Sequence, residues 1–366
     1  MQAGISFAKT TNSAGILVAR VENPARFDPT QDSEDGAMCT EYIDPMPTDM
    51  PALLGRRGFL KGAAAAALAV GMTGTSALRA AAAPAAPTGT TAASDGTDPE
   101  PAAVPLDSIS IQLYMMRSLM TNDATVRQTF SGLADIGYRK VEHAGFAGLT
   151  APQFRAALDT YGLRSTSGHQ NVPFPFDELA WRKTVDNAYI VGQSFIVEPL
   201  PTFALPSLIT GVPMSSVVWG QYAEAINKAA AIAKIYGIRV GYHNHNVEFI
   251  PLPDAPGKTG YDILLAETDP ALVHFEMDLY WVWKAGRDPV PVLQANPTRF
   301  RQFHVKDMDA AGGITAPGKG LIDFGRIFRA AHSMGIEEFT IEQDNAGAQA
   351  MTTAQLGYAL LRDLRW

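Results

Sequence analysis

The stretch at residues 240–249, VGYHNHNVEF, sets His243, Asn244, His245, Asn246 and Glu248 directly behind an apolar run with the β-branched Ile238 and Val240. Such a run reads as a buried strand. On an extended chain alternate side chains point the same way, so His243 and His245 can face one pocket. Imidazoles there can ligate a metal or move protons; the plainer reading is a hydrogen-bonded polar loop. The same residue types recur at the ends of other apolar runs: Glu142 and His143, then His169, Asp278 in FEMDLYW, His304 and Lys306 in FHVKDMD, and Glu342 in TIEQD. From His243 to Asp278, on to His304 and on to Glu342 the intervals are 35, 26 and 38 residues. Each is close to one strand-helix-strand repeat, so the four side chains would converge. Two histidines and two carboxylates with open positions suit one divalent ion among manganese, zinc, cobalt, iron(II) and magnesium, with no soft ligand to select between them. For any one of the four alone, a salt bridge is the competing explanation.

The elements that must position these residues lie in residues 107–366. That length matches one (β/α)8 barrel. Strands are expected at 108–113, 138–142, 163–168, 194–197, 238–242, 272–277, 300–305 and 338–341, with helices between them. The clearest helix carries Tyr222, Ile226, Ala229, Ala233 and Tyr236 on one stripe and ends at Gly237. In a later helix Phe324, Ile327, Phe328 and Ala331 form the inward stripe, with Asp323 placed to cap it. Residues 202–218, broken by Pro206 and Pro213, read as an insertion lying over the site. Eight alternations imply a parallel sheet. An open doubly wound sheet gives the same string, but its polar residues would gather at one switch point. Here they mark many strand ends, as in a closed barrel.

The first part of the chain differs. Residues 55–61, GRRGFLK, precede an Ala-rich apolar stretch and then small residues at 77–83. This order resembles a twin-arginine export signal and its cleavage site. Residues 1–83 are therefore expected to be a leader, with Met50 as the start that would give a short basic region. Residues 84–106, rich in Ala, Pro, Thr and Gly, read as a disordered linker. The location expected is periplasmic or secreted. The single cysteine, Cys39, falls in the leader, so His, Asp and Glu must hold any metal. A net charge of −8 argues against nucleic acid as a partner, and no apolar run is long enough to span a membrane.

Six segments, VEHAGFAGL, GYHNHNVEF, MDLYWVWKAGRDP, FHVKDMD, GKGLIDF and IEQD, resemble the xylose isomerase-like TIM barrels known as sugar phosphate isomerases/epimerases. In that family the ligands on strands five to eight are commonly Glu, Asp, His and Glu. The resemblance therefore implies a metal at His243, Asp278, His304 and Glu342, with His243 replacing the usual carboxylate and Glu248 or His245 able to take its place. Trp281 stands where a trinuclear zinc nuclease of the same fold has a ligand, which argues against that activity. The resemblance further implies a small carbohydrate substrate. The ion would chelate adjacent sugar oxygens and acidify the C–H beside a carbonyl. Glu142, His169 and Glu342 are candidates to carry the proton, and Lys306 to stabilise the oxyanion. His245, Glu248, Trp281 and Trp283 are expected to bind substrate, the tryptophans as flat walls. The function expected is a metal-dependent sugar isomerase or epimerase. A lyase or hydratase on 3-keto-glycosides and a non-catalytic sugar-binding protein are the alternatives. Besides the sugar, the export machinery is an expected partner, and homo-oligomerisation stays open.

Overall fold

The computed structural model describes residues 101–366. The expected leader (1–83), with its twin-arginine motif, and all but the last residues of the expected linker lie outside the described residues.

Eight parallel strands form the core: β1 (Ile109–Ile111), β2 (Lys140–His143), β3 (Arg164–Gly168), β4 (Phe195–Glu198), β5 (Arg239–His243), β6 (Val273–Asp278), β7 (Phe300–Val305) and β8 (Glu338–Ile341). A continuous ladder runs from β4 through β5, β6, β7 and β8 to β1. β2 pairs with β3. Single parallel bridges, Gln112 to Glu142 and His169 to Val197, join β1 to β2 and β3 to β4. Spatial order therefore equals chain order and the sheet closes on itself, which decides for the (β/α)8 barrel over the doubly wound alternative. Every residue of β4, β6 and β8 is buried. That is what a parallel strand must show when one face fills the barrel and the other packs under helices.

The helices begin where the sequence can cap them. Asn122 and Thr125, Thr150 and Gln153, and Thr259 and Asp262 form capping boxes at Asp123–Ile136, Ala151–Thr160 and Gly260–Glu267. The long helix Ser216–Ile235 buries Tyr222, Ile226, Ala229 and Ala233, as the stripe requires. Phe324–Ala331 buries Phe324, Ile327, Phe328 and Ala331, and Asp323 caps it by accepting the Arg326 N–H.

The structure departs from the expected pattern in four places. Part of the insertion is helical, at Leu205–Thr210, because Pro206 sits in the first turn, where no backbone donor is lost. A helix at Leu279–Lys284 follows β6 directly, started by Asp278, which accepts the Trp281 N–H. A short antiparallel hairpin pairs Asp307–Met308 with Ile314–Thr315 after β7. Ala102 exchanges backbone hydrogen bonds of 3.0 and 3.1 Å with Trp366, and Val104 is buried. The ordered chain thus reaches upstream of Asp107 into the segment expected to be linker. Among the described residues no helix is long and apolar enough to cross a membrane.

Candidate active site and metal centre

The C-terminal ends of β5 to β8 each deliver two polar residues two positions apart: His243 and His245, Glu276 and Asp278, His304 and Lys306, Glu342 and Asp344. Period-2 alternation aims both members of a pair the same way. β2 and β3 add Glu142, Ser167 and His169, and Gln112 follows β1. The strand register slips between Val141 and Glu142 and again between Phe275 and Glu276. Each irregularity falls immediately before a site carboxylate, where a bulge re-aims the side chain.

His304 is the hub. Its Nε2 lies 2.7 Å from Glu142 Oε1 and 3.0 Å from Glu276 Oε2, and its Nδ1 lies 2.8 Å from Glu342 Oε2 and 3.9 Å from Asp278 Oδ2. The ring stacks on His169 at 5.1 Å and 11°. Lys306 is buried and reaches Asp278 Oδ2 at 3.0 Å, Glu342 Oε2 at 2.8 Å and Asp344 Oδ1 at 3.0 Å. Asp278 Oδ2 accepts no hydrogen bond, so the ammonium faces it as an ion pair alone. His245 packs on Trp281 with ring centres 5.0 Å apart, and His245 Nδ1 and Trp281 Nε1 are both buried without a partner. Two polar atoms left open at one wall can serve a ligand's hydroxyls.

The charges act on one another across this space. Burial alone would raise the Glu142 carboxyl, but His169 and His304 outweigh it and hold its pKa well below the usual range. Burial would lower His304, yet Glu276, Glu142 and Glu342 lift it well above an ordinary imidazole. Burial and then His304 push His243 well down, and burial with Lys306 takes His245 to about 3, so both rings are neutral. Burial raises Asp344 to about 7 against the pull of Lys306. The carboxylates of Glu142, Glu276, Asp278, Glu342 and Asp344 outnumber the one lysine among them. Burial opposes a charge on His169, but Glu142 and Glu276 raise its pKa to about 9, so two imidazoles join Lys306 in balancing these carboxylates.

The residues present fit a divalent ion. Asp278, His304 and Glu342 each offer a ligand atom, and these atoms lie within 4.8 Å of one another. One imidazole and two carboxylates suit hard and borderline ions. His243 belongs with His169, Glu276 and His304 to a second group that overlaps the first at His304, and its Nε2 also lies 3.7 Å from Asp278 Oδ2.

Other expected residues take different places. Glu142 is fully buried and accepts from Gln112 Nε2 and Ser167 Oγ at 2.7 and 2.6 Å as well as facing His304 and His169. Its lone pairs are engaged by the protein, an arrangement that can orient the imidazoles. Glu248 does not reach the mouth: it accepts from the Tyr242 hydroxyl and the His245 N–H behind β5, because Tyr242 and His243 point to opposite sides of the strand. Trp281 lines the site but Trp283 is 38% exposed. The stretch is helical, and two positions along a helix turn a side chain by about 200°. Asp307 faces away from Lys306 and holds the GKG turn, accepting from Gly318, Gly320 and Ile322 N–H groups. Glu276 and Asp344 were missed. Both stand two positions from an expected ligand, and that spacing was the available signal.

A closed (β/α)8 barrel with a buried His, Lys and carboxylate array at its C-terminal mouth has the form of an enzyme. Residues 130–364 match the family model described as xylose isomerase-like TIM barrel, and the chain belongs to that family. It is 25% identical over 269 residues to the inosose dehydratase of Geobacillus kaustophilus, covering 63% of this chain and 85% of that protein. Against the inosose dehydratase of Clostridium beijerinckii it is 27% identical over 149 residues, 35% of this chain and 48% of the relative. A crystal structure described as a sugar phosphate isomerase/epimerase from Parabacteroides distasonis superposes with a TM-score of 0.58 and 25% identity, over 75% of this chain and 97% of that one.

Proposed function

We propose that the protein is an exported, divalent-metal-dependent enzyme that removes a proton beside a carbonyl of a sugar-like polyol. One observation carries the reading: Lys306, the buried cation of the site, is held by Asp278, Glu342 and Asp344 beside three ligand-type atoms that lie within 4.8 Å of one another. A bound ion would supply Lewis acidity toward adjacent substrate oxygens, from Asp278, His304 and Glu342. Lys306 stabilises the developing oxyanion, and its burial strengthens the effect of its charge. Asp344 takes the proton. It contacts Lys306 with both oxygens, at 3.0 and 3.2 Å, and its side chain is 15% exposed against 5% or less for Glu142, Glu276, Asp278 and Glu342. Glu142 fixes the His304 ring, and Trp281 with His245 forms the apolar wall with two open polar atoms.

The resulting enediolate has two fates. Return of the proton gives an isomer or epimer, the activity named for the Parabacteroides relative. Departure of the hydroxyl on the next carbon as water, with the proton that Asp344 took, gives a dehydratase or lyase, and the inosose dehydratases favour this second reading; a 3-keto-glycoside offers the same acidic C–H. Incubating the protein with manganese in D2O against ketoses, keto-inositols and 3-keto-glycosides tests the class. Deuterium should enter beside the carbonyl of one substrate, and its fate distinguishes the two outcomes. A sugar that binds by calorimetry while no substrate exchanges would instead make this a sugar-binding protein.

Export rests on GRRGFLK and the small residues after it. In an export-competent host the mature protein should be periplasmic and begin shortly after residues 80–83, also when the gene starts at Met50. Soluble cytoplasmic protein with an intact N-terminus would overturn this.

A further inference from the structure

Three imidazole nitrogens crowd one carboxylate oxygen. His169 Nε2, His243 Nδ1 and His304 Nε2 lie 3.0, 3.1 and 3.0 Å from Glu276 Oε2, while Glu276 Oε1, equally buried, has no partner. Glu142 Oε1 also faces three nitrogens, but there Ser167 donates to the second oxygen, whereas Glu276 Oε1 is left bare. A carboxylate has about four acceptor sites over two oxygens, and donors would share them. A cation explains it better, since two ligands at roughly 2.1 Å from one ion stand about 3.0–3.4 Å apart.

We propose a second divalent-cation site made by His169 Nε2, His243 Nδ1 and Glu276, distinct from the one at Asp278, His304 and Glu342. His304 separates the two. A neutral imidazole has one lone pair. With Nδ1 turned to the Asp278 and Glu342 group, Nε2 carries the proton and gives it to Glu142 at 2.7 Å. His169 and His243 then keep their lone pairs for the second ion, with Glu142 Oε1, 3.1 Å from His169 Nε2, at the margin. His169 is 10% exposed, leaving one side open for a water or a substrate oxygen. Two imidazoles and one carboxylate with open positions favour a first-row transition ion such as iron(II), cobalt, manganese or zinc over magnesium. The oxygen-richer first group is the more tolerant of hard ions.

This inference deepens the proposed function and rests on its ion at Asp278, His304 and Glu342 for the count of two. The test is a cobalt titration of chelator-stripped, full-length protein, with bound metal counted by elemental analysis and visible absorption followed in parallel. The wild type should hold two ions per chain and Glu276→Gln and Asp278→Asn one each; Asn preserves the cap that Asp278 supplies. One ion in the wild type, kept by Glu276→Gln and lost by Asp278→Asn, overturns the second site and leaves the proposed function standing. One ion lost by Glu276→Gln and kept by Asp278→Asn upholds the second site and removes the first. No bound ion in the wild type overturns both. His169→Gln, at the most accessible of the three positions, is the second variant should Glu276→Gln not fold. It should also hold one ion, and two ions in folded protein overturn the site.

Discussion

Lys306→Met is expected to cost the metal-free protein about 3–5 kcal/mol of stability, the range for breaking a buried ion pair by removing one partner. The substitution keeps the length of the side chain and deletes its charge. Asp278, Glu342 and Asp344 then face one another without the ammonium that lies 3.0, 2.8 and 3.0 Å from them. Burial raises the penalty, because these carboxylates cannot turn to solvent: Asp278 is fully buried and Glu342 nearly so. Turnover of the metal-loaded variant should fall about 100- to 1,000-fold, the usual loss when one donor to a developing oxyanion is removed. Urea unfolding of both stripped proteins reads the first effect, and steady-state kinetics on the substrate that exchanges reads the second. Equal stability would mean that the cluster is already neutral through its histidines. Equal turnover would remove Lys306 from the chemistry.

Asp344→Asn is expected to lower kcat by about 100- to 10,000-fold, the range for loss of a general base, while the bound metal stays unchanged. The side chain is a hydrogen-bond acceptor to Lys306 in either form, so the local geometry survives the change. A merely structural role predicts a different pattern. Weakening the hold on Lys306 would lower kcat and stability together and leave deuterium exchange in proportion to turnover. Loss of the base stops exchange beside the carbonyl at full stability, and Asp344→Glu should restore part of it. Wild-type exchange in Asp344→Asn would move the base to Glu342 or His245.

The two predictions concern a residue that sequence reading singled out and one that it passed over, and the contrast is physical. Lys306 follows His304 by two positions in FHVKD, so strand alternation carries it to the same side. Asp344 stands in the same relation to Glu342, but both members of that pair lie past the last residue of β8, whereas His304 stands inside β7. Glu276 was hidden for another reason. In VHFEMD every residue is buried, and a carboxylate in the middle of an apolar strand reads as an exception to the pattern when it is in fact the centre of the site. Glu142 was recognised, but its partners were not. Saturation by Gln112, Ser167, His169 and His304 involves four residues from three other strands or their ends, which no local pattern encodes.

By itself the sequence determined the eight repeats, the strand ends that bear polar residues and the helix starts. Those depend on short-range physics: the 2.0 and 3.6 periodicities, the caps and the glycines that end helices. β7 and β8 fall at the expected residues, Phe300–Val305 and Glu338–Ile341. What only the tertiary structure decided is how those ends meet. The closing bridges, the stagger of the strands around the barrel and the register slips beside Glu142 and Glu276 set which atoms come within 3 Å of His304. They put Asp278 and Glu342 on one of its nitrogens and Glu142 and Glu276 on the other. A single slip in strand register turns a side chain to the other face, so the division of the histidines into two groups exists only once the barrel has closed.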